Sequence, residues 1–122
     1  MCGINGFFNY LKLPLAEEEE LVKKMNRVIS HRGPDDSGIW SDADRRVFFG
    51  HQRLSILDLS PNGHQPMIGL QGTVIVYNGE IYNFKSLKAG FTDRAFFSET
   101  DTEVLLYLYE RDGQHCLDHV NG

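Results

Sequence analysis

A cysteine directly follows the initiator methionine, and this residue, Cys2, constrains the chain more than any other feature of its sequence. Removal of Met1, which is expected before a small residue, would leave a thiol and a free α-amine on one residue. The amine has an ordinary pKa of about 7.7–8.0, against about 8.5 for the thiol, so it can accept the thiol proton. The simpler alternative is a buried structural cysteine near the start of a first strand, and Cys2 taken alone favours that alternative.

The composition limits the size, partners and compartment of the protein. At 122 residues the chain has the length of one modest domain with a hydrophobic core, and 41% of its residues are hydrophobic. The net charge of −5 argues against a nucleic-acid or membrane surface, and no apolar run reaches transmembrane length. Two cysteines make no disulfide framework, and we expect no signal peptide before the ordered pattern. These features predict a cytoplasmic protein with a free thiol.

The spacing of apolar residues predicts a mixed set of strands and helices. The predicted strands are Gly3–Tyr10, Gly38–Trp40, Val47–Phe49, a strand that begins at Arg53, and Thr73–Tyr77. The predicted helices are Ala16–Ile29, the short segment Phe84–Lys88, and a helix that follows Thr100 and ends near Gly113. The acidic run Glu17–Glu20 is interpreted as the solvated first turn of the first helix.

Two polar segments carry arginines that could serve chemistry. The segment His31–Gly38 is most simply a structural turn, because it combines Gly-Pro with Asp and Ser. Its functional interpretation is that Arg32 lies close to Cys2 and favours the thiolate. Arg53 could clamp a carboxylate through two parallel hydrogen bonds, although an ordinary surface ion pair is the common alternative.

The pair Asn78-Gly79 follows the predicted strand Thr73–Tyr77 and is most often a tight turn. Its second use is as an oxyanion hole, since the asparagine side-chain N–H and the glycine main-chain N–H can converge on one point. The later Asp101 falls in the first turn of a helix that Thr100 and Glu103 cap. There the helix dipole favours an ionised carboxylate, which could hold a ligand ammonium group.

His115 and His119 lie four residues apart around Cys116. A metal site would need a third ligand of sensible spacing, so solvated histidines beside a core-facing cysteine are favoured.

Five motifs in order carry a resemblance over essentially the whole chain: MCGI, HRGPDDSG, GHQRLSILDLS with GHQPM, YNGEIYN and SETDTEVLL. They resemble the class II glutamine amidotransferases, closest to the glutaminase domain of glutamine-hydrolysing asparagine synthetases. The resemblance implies an α+β fold of the N-terminal-nucleophile hydrolase (Ntn hydrolase) type, an αββα sandwich of stacked antiparallel sheets. It also implies that residues 1–122 are the N-terminal part of that domain, incomplete at the C-terminus, with the ATP-using synthetase domain absent.

The resemblance assigns a role to each matching residue. Cys2 corresponds to the nucleophile, with its own α-amine as base, and Asn78 and Gly79 to the oxyanion hole. Arg53 corresponds to the clamp on the α-carboxylate of L-glutamine, and Glu80 and Asp101 to the acceptors of its α-ammonium. The residues that line the glutamine pocket are Leu54, Ile56 and Leu57.

The implied reaction releases ammonia and glutamate through a γ-glutamyl thioester and needs no metal or organic cofactor in this domain. The resemblance implies ATP and Mg for the absent synthetase domain, an enzyme of the ligase class in asparagine biosynthesis, and leaves a homodimer of the full-length parent open. If Met1 is retained, the base is absent and this chain alone is expected to be inactive. The alternatives are a non-catalytic glutamine-binding remnant, an Ntn hydrolase of another amide, and an amidotransferase with a different acceptor.

Overall fold

The structure, a computed structural model, describes residues 1–10 and 14–122. The chain forms two compact units, and each is described here by itself. The first unit contains residues 1–55, 64–66 and 76–78, and the second contains residues 56–63, 67–75 and 79–122. Both units combine helices with antiparallel strands, so the predicted α+β class is confirmed.

The first unit is built on a three-stranded antiparallel sheet. Its strands are β1 (Gly3–Phe8), β2 (Asp36–Ser41) and β3 (Val47–Arg53), with β3 in the centre. Gly3 lies opposite Gln52, and Asp36 lies opposite Arg53. The start of β1, the start of β2 and the end of β3 therefore meet at one end of the sheet, where Cys2 directly precedes β1.

Helix α1 (Leu15–Val28) packs against β1 and β3, but its buried face differs from the predicted one. Val22 is buried as expected, whereas Val28 is 76% exposed. Glu18 and Asn26, one helical turn to either side of Val22, are buried instead. Glu18 accepts hydrogen bonds from Asn9 and Arg45, so the prediction of a fully solvated acidic first turn is wrong at this residue.

The predicted hairpin of β2 and β3 is confirmed, but two other predicted strands differ. Arg53 ends β3 rather than beginning a strand, and residues 54–57 form none. The reason is that β3 pairs with β1 as far as Gln52 and with β2 as far as Arg53. Beyond Arg53 the main chain bonds to groups outside the sheet. Of the predicted strand Thr73–Tyr77 only Val74–Ile75 pairs with another strand.

The second unit consists of a two-stranded antiparallel sheet and helices. The strands are β4 (Met67–Ile68) and β5 (Val74–Ile75), and the helices are α2 (Phe84–Ala89) and α3 (Asp101–Asp112). A 3₁₀ helix, Gly113–His119, follows α3 and buries Cys116. Within the part of the chain that the structure describes, no helix has both the length and the apolar character to cross a membrane.

Helix α3 begins and ends where the sequence predicts. The Thr100 hydroxyl accepts a hydrogen bond from the Glu103 main-chain N–H over 3.3 Å. The Glu103 carboxylate accepts from the main-chain N–H groups of Phe97 and Ser98, so it orders the segment before the helix rather than completing a capping box. Gly113, with φ of 59° and ψ of −141°, ends the helix in a positive-φ conformation that favours glycine.

Candidate active site

The thiol of Cys2 is held by the main chain of Leu54. The Leu54 N–H donates a hydrogen bond to Sγ over 3.4 Å, and the thiol donates to the Leu54 carbonyl oxygen over 3.6 Å. Cys2 is half-buried, whereas Met1 is 73% exposed. The first unit therefore fixes the sulfur at the end of β3 and leaves the residue before it accessible from solvent.

Arg32 also contacts Cys2, although not through the sulfur. Its Nε–H donates to the Cys2 carbonyl oxygen over 3.1 Å. The predicted proximity of Arg32 and Cys2 is thus present, and this hydrogen bond orients the peptide that follows the cysteine. Arg32 ends a short 3₁₀ helix, Ser30–Arg32, which follows α1 directly.

Asp35 ties the polar turn that follows Arg32 to the residues beside Cys2. Its main-chain N–H donates to the Arg53 carbonyl oxygen over 3.0 Å. Its carboxylate accepts from the Ser55 main-chain N–H over 2.7 Å. The turn therefore fixes the corner where the chain leaves β3, and with it Leu54, which holds the sulfur.

Arg53 is the last residue of β3 and is only 5% exposed. It precedes Leu54 in the chain, so the predicted carboxylate clamp is next to the residue that contacts the Cys2 thiol. Asp36 is its partner across the β2–β3 ladder. Of the predicted site residues, the first unit brings together Cys2, Arg53 and Leu54.

Asn78 is half-buried and follows a segment anchored in the first unit. The main-chain N–H of Tyr77 donates to Gln65 Oε1 over 2.6 Å. The carbonyl oxygen of Tyr77 lies 3.2 Å from His51 Nε2. Because a carbonyl oxygen only accepts, Nε2 carries the proton in this pair. The two main-chain polar groups of Tyr77, the residue before Asn78, are thus held by two side chains.

His51 is fully buried on β3, and burial lowers its pKa below the ordinary value of 6.5. The hydrogen bond to Tyr77 opposes this shift, as does the charge of Asp36, but burial is the larger cause. Among the described residues, the Nδ1 atom of His51 has no hydrogen-bond partner. Neutral His51 therefore donates through Nε2, and its Nδ1 atom is unprotonated and buried in the core.

In the second unit, Asp101 stands at the first position of α3 and is 5% exposed. Its carboxylate accepts from the Ile81 main-chain N–H over 2.9 Å. Burial raises its pKa above the ordinary 3.8 and outweighs the hydrogen bonds from Ile81 and Thr102, while the nearby charge of Glu80 raises it further. This upward shift in the pKa of Asp101 is opposite to the downward shift expected from the helix dipole alone. The unit brings the two predicted ammonium acceptors, Glu80 and Asp101, close to each other.

The remaining predicted residues of the second unit are more exposed. Ile56 is 58% exposed and Leu57 is 44% exposed, and Gly79 is exposed as well. All three lie outside strands and helices.

The two histidines near the C-terminal end lie on the 3₁₀ helix Gly113–His119. His115 and His119 are exposed, and Nδ1 of His115 lies 3.6 Å from the Asp118 carboxylate. Within residues 1–10 and 14–122, no group of three or more candidate ligands is arranged to hold a metal ion. Cys116 is 2% exposed, so the core-facing position predicted for it is confirmed.

Sequence reasoning missed three residues that organise the first unit around Cys2 and Asn78. They are Asp35, His51 and Gln65. Each stands inside a polar motif that predicts a loop or a strand end, and a motif alone does not tell which main-chain group a side chain will bind.

The geometry of the first unit suits nucleophilic chemistry on a small polar substrate. It places a half-buried thiol against the main chain of Leu54, directly after the buried Arg53, and fixes the peptide before an asparagine whose amide can donate. A thiol, a cation and an amide donor are among the groups that acyl transfer uses.

The chain is similar to known proteins over its whole length. The sequence profile of the glutamine amidotransferase domain matches residues 1–122. Relatives that align over the whole of this chain include asparagine synthetase (glutamine-hydrolyzing) 3 of Bacillus subtilis at 40% identity and asparagine synthetase (glutamine-hydrolyzing) 1 of the same organism at 43%. Asparagine synthetase B (glutamine-hydrolyzing) of Escherichia coli is 40% identical.

The chain spans 20%, 20% and 22% of the lengths of these three relatives, respectively. Because the family profile matches from the first residue to the last and the relatives align throughout, the five motifs carried the correct resemblance, and the chain belongs to the glutamine amidotransferase domain family.

Proposed function

We propose that this chain hydrolyses the side-chain amide of L-glutamine through Cys2. The observation that carries the proposal is the pair of contacts between Sγ of Cys2 and the main chain of Leu54, directly after the buried Arg53. A nucleophile held by the residue that follows a buried arginine suits a substrate with a carboxylate at one end and an electrophilic carbon at the other. Membership of the glutamine amidotransferase family supports glutamine as that substrate.

The proposed reaction begins after Met1 has been removed. The α-amine of Cys2 accepts the thiol proton, and Sγ attacks the amide carbon of glutamine. The C–N bond breaks as the proton passes to the departing nitrogen, so ammonia leaves and a γ-glutamyl thioester remains. Water then attacks the thioester and restores the thiol with release of glutamate. The exposure of Met1 supports its removal by an aminopeptidase.

Charge complementarity supports the proposed binding mode. Arg53 takes the α-carboxylate through its forked guanidinium, which can form two parallel hydrogen bonds. Glu80 and Asp101 take the α-ammonium, and their proximity within the second unit supports a shared role. The assignment of Leu54, Ile56 and Leu57 to the pocket wall rests on the sequence resemblance.

Asn78 is proposed to donate from its side-chain amide to the oxygen that becomes negative in the tetrahedral intermediate, together with the Gly79 N–H. Donors that are already in place stabilise this charge without reorganisation. The anchored peptide between Tyr77 and Asn78 supports a fixed position for the first of them.

For the whole protein we propose glutamine-dependent asparagine synthesis. Each of the three relatives is named as a glutamine-hydrolysing asparagine synthetase, and each is several times longer than this chain. In this proposal the ammonia passes to a synthetase domain that uses ATP and Mg, and the present residues form the N-terminal part of an Ntn-hydrolase sandwich. A homodimer of the full-length protein also remains a proposal.

The direct test is release of glutamate from glutamine by the full gene product. Cys2→Ala should abolish this release while leaving asparagine synthesis from added ammonia. Cys116→Ala is the matched control, because it removes the other cysteine, which is buried away from solvent. Glutamine-dependent activity that survives Cys2→Ala would refute the proposal.

A further inference from the structure

The main chain of Tyr77 is held in the first unit by two side chains. Tyr77 follows β5 but is not itself in a strand. Its N–H donates to Gln65 and its carbonyl oxygen accepts from His51, at 2.6 and 3.2 Å. Both polar groups of one residue are therefore fixed by side chains that are distant in sequence.

The two anchoring side chains are themselves rigidly placed. His51 is fully buried on the central strand β3, and Gln65 is 5% exposed. The main chain of Gln65 lies so close to Gly38 of β2 that a Cβ at Gly38 would overlap its carbonyl oxygen. Because both His51 and Gln65 are buried in a close-packed interior, each has little room to move and can hold the residue that it binds.

The carbonyl oxygen that His51 binds belongs to the peptide joining Tyr77 to Asn78. Because this peptide unit is planar, holding its oxygen restricts the position of the Asn78 Cα, and the bond from the Tyr77 N–H to Gln65 restricts the peptide before it as well. We propose that His51 and Gln65 are positioning residues that set the Asn78 side-chain amide for its role as oxyanion donor. This inference rests on the proposed function, since it concerns the same reaction.

The positions of His51 and Gln65 suggest a specific kinetic signature. A donor that is displaced loses more interaction with the transition state than with bound substrate, so the loss falls on kcat rather than on KM. Removal of one oxyanion donor typically lowers kcat by about 10²–10³-fold. Displacing the Asn78 amide without deleting it should cause part of this loss in kcat, on the order of tenfold or more.

The test measures glutamate release by variants of the full gene product. His51→Phe removes the hydrogen-bond donor and retains a ring. Gln65→Met removes the acceptor and retains the side-chain length. Each should lower kcat about tenfold or more with little change in KM. His51→Gln, whose amide N–H can reach the Tyr77 oxygen, should recover most of the loss. If His51→Phe does not fold, Gln65→Met and His51→Gln carry the test.

Combination with Asn78→Ala separates positioning from general damage. If His51 and Gln65 act through the Asn78 amide, their substitutions should cost little further kcat once that amide is gone. Equal fold-losses with and without the Asn78 amide, or near-normal kcat in the folded Gln65→Met variant, would overturn the inference. In those cases wild-type activity would still depend on Cys2, so the proposed function would stand. Wild-type hydrolysis that is independent of Cys2 would instead refute both.

Discussion

The Cys2 thiol and the Leu54 main chain contact each other twice, since the Leu54 N–H donates to Sγ over 3.4 Å and the thiol donates to the Leu54 carbonyl oxygen over 3.6 Å. The sulfur is therefore positioned by backbone groups, which no side-chain substitution at Leu54 removes directly. Leu54 is also bonded covalently to Arg53, so the proposed nucleophile and the proposed carboxylate clamp share one short segment.

The first prediction concerns the α-amine of Cys2. A full gene product whose N-terminus begins at Cys2, released from a cleavable tag, should hydrolyse glutamine. The same protein with one or more residues left before Cys2 should be inactive, because its α-nitrogen is then an amide that cannot accept a proton. Mass spectrometry would define each N-terminus, and glutamate release would be measured on both. Equal activity of the two forms would exclude the amine as the base.

The second prediction concerns Arg53. Arg53→Ala should weaken the binding of glutamine by about 2–5 kcal/mol, the range for truncating one partner of a buried charged pair. Glutaminamide, which lacks the α-carboxylate, is the matched control and should respond much less. The measurement is kcat/KM for both substrates in wild type and variant. A similar loss for both substrates would leave Arg53 with a structural role only.

The helix α1 shows how much of the fold the sequence could predict. Its existence and length follow from apolar spacing, and the structure places it at Leu15–Val28. Its buried face could not be predicted from hydrophobicity, because Glu18 and Asn26 are buried through partners elsewhere in the chain. Hydrogen bonds between polar residues distant in sequence decide which side chains of this helix are buried. Such pairs leave no periodic pattern in the sequence.

The candidate site shows the same division. Cys2 and Arg53 were predicted from residue types and from the family resemblance, whereas Asp35, His51 and Gln65 were not. These three side chains bind main-chain groups. Because nearly every residue carries the same main-chain groups, no motif shows which of them a side chain will bind. Arg53 was also placed at the start of a strand, because the alternation after it resembles a strand that the structure does not form.

The third prediction concerns the corner after β3. Asp35→Ala should lower the free energy of unfolding by about 1 kcal/mol, because the Ser55 N–H loses its acceptor at an exposed position. Asp35→Asn keeps an acceptor oxygen and should lose less. Asp44→Ala, at another exposed aspartate in the same unit, is the control. Urea denaturation would compare the variants, and equal midpoints for Asp35→Ala and Asp44→Ala would contradict the role of this bond.

The fourth prediction follows from the pKa of His51, which burial lowers below 6.5. As the pH falls, the unfolded chain binds a proton on this residue before the folded chain does, so stability is lost from about pH 6.5 downwards. Each pH unit between the two pKa values is worth about 1.4 kcal/mol. His51→Gln should remove this part of the loss, whereas His115→Gln, at an exposed histidine, should not. Urea denaturation at pH 7.5 and pH 5.5 would give the loss of unfolding free energy between the two pH values for each protein. An equal loss in wild type and His51→Gln would refute the prediction.

The last prediction concerns Asn78, for which the structural and catalytic roles give different results. If Asn78 only forms a turn, Asn78→Ala should lower stability and leave the chemistry of the folded protein nearly unchanged. If its amide donates to the developing oxyanion, kcat and kcat/KM should fall together by about 10²–10³, or 2.7–4 kcal/mol, with KM little altered. Asn78→Asp should be worse than Asn78→Ala, because a carboxylate repels the oxyanion that the amide attracts. Steady-state kinetics on the full gene product would be combined with thermal melts to establish folding. A folded Asn78→Ala protein with near-normal kcat would show that Asn78 is a turn residue alone.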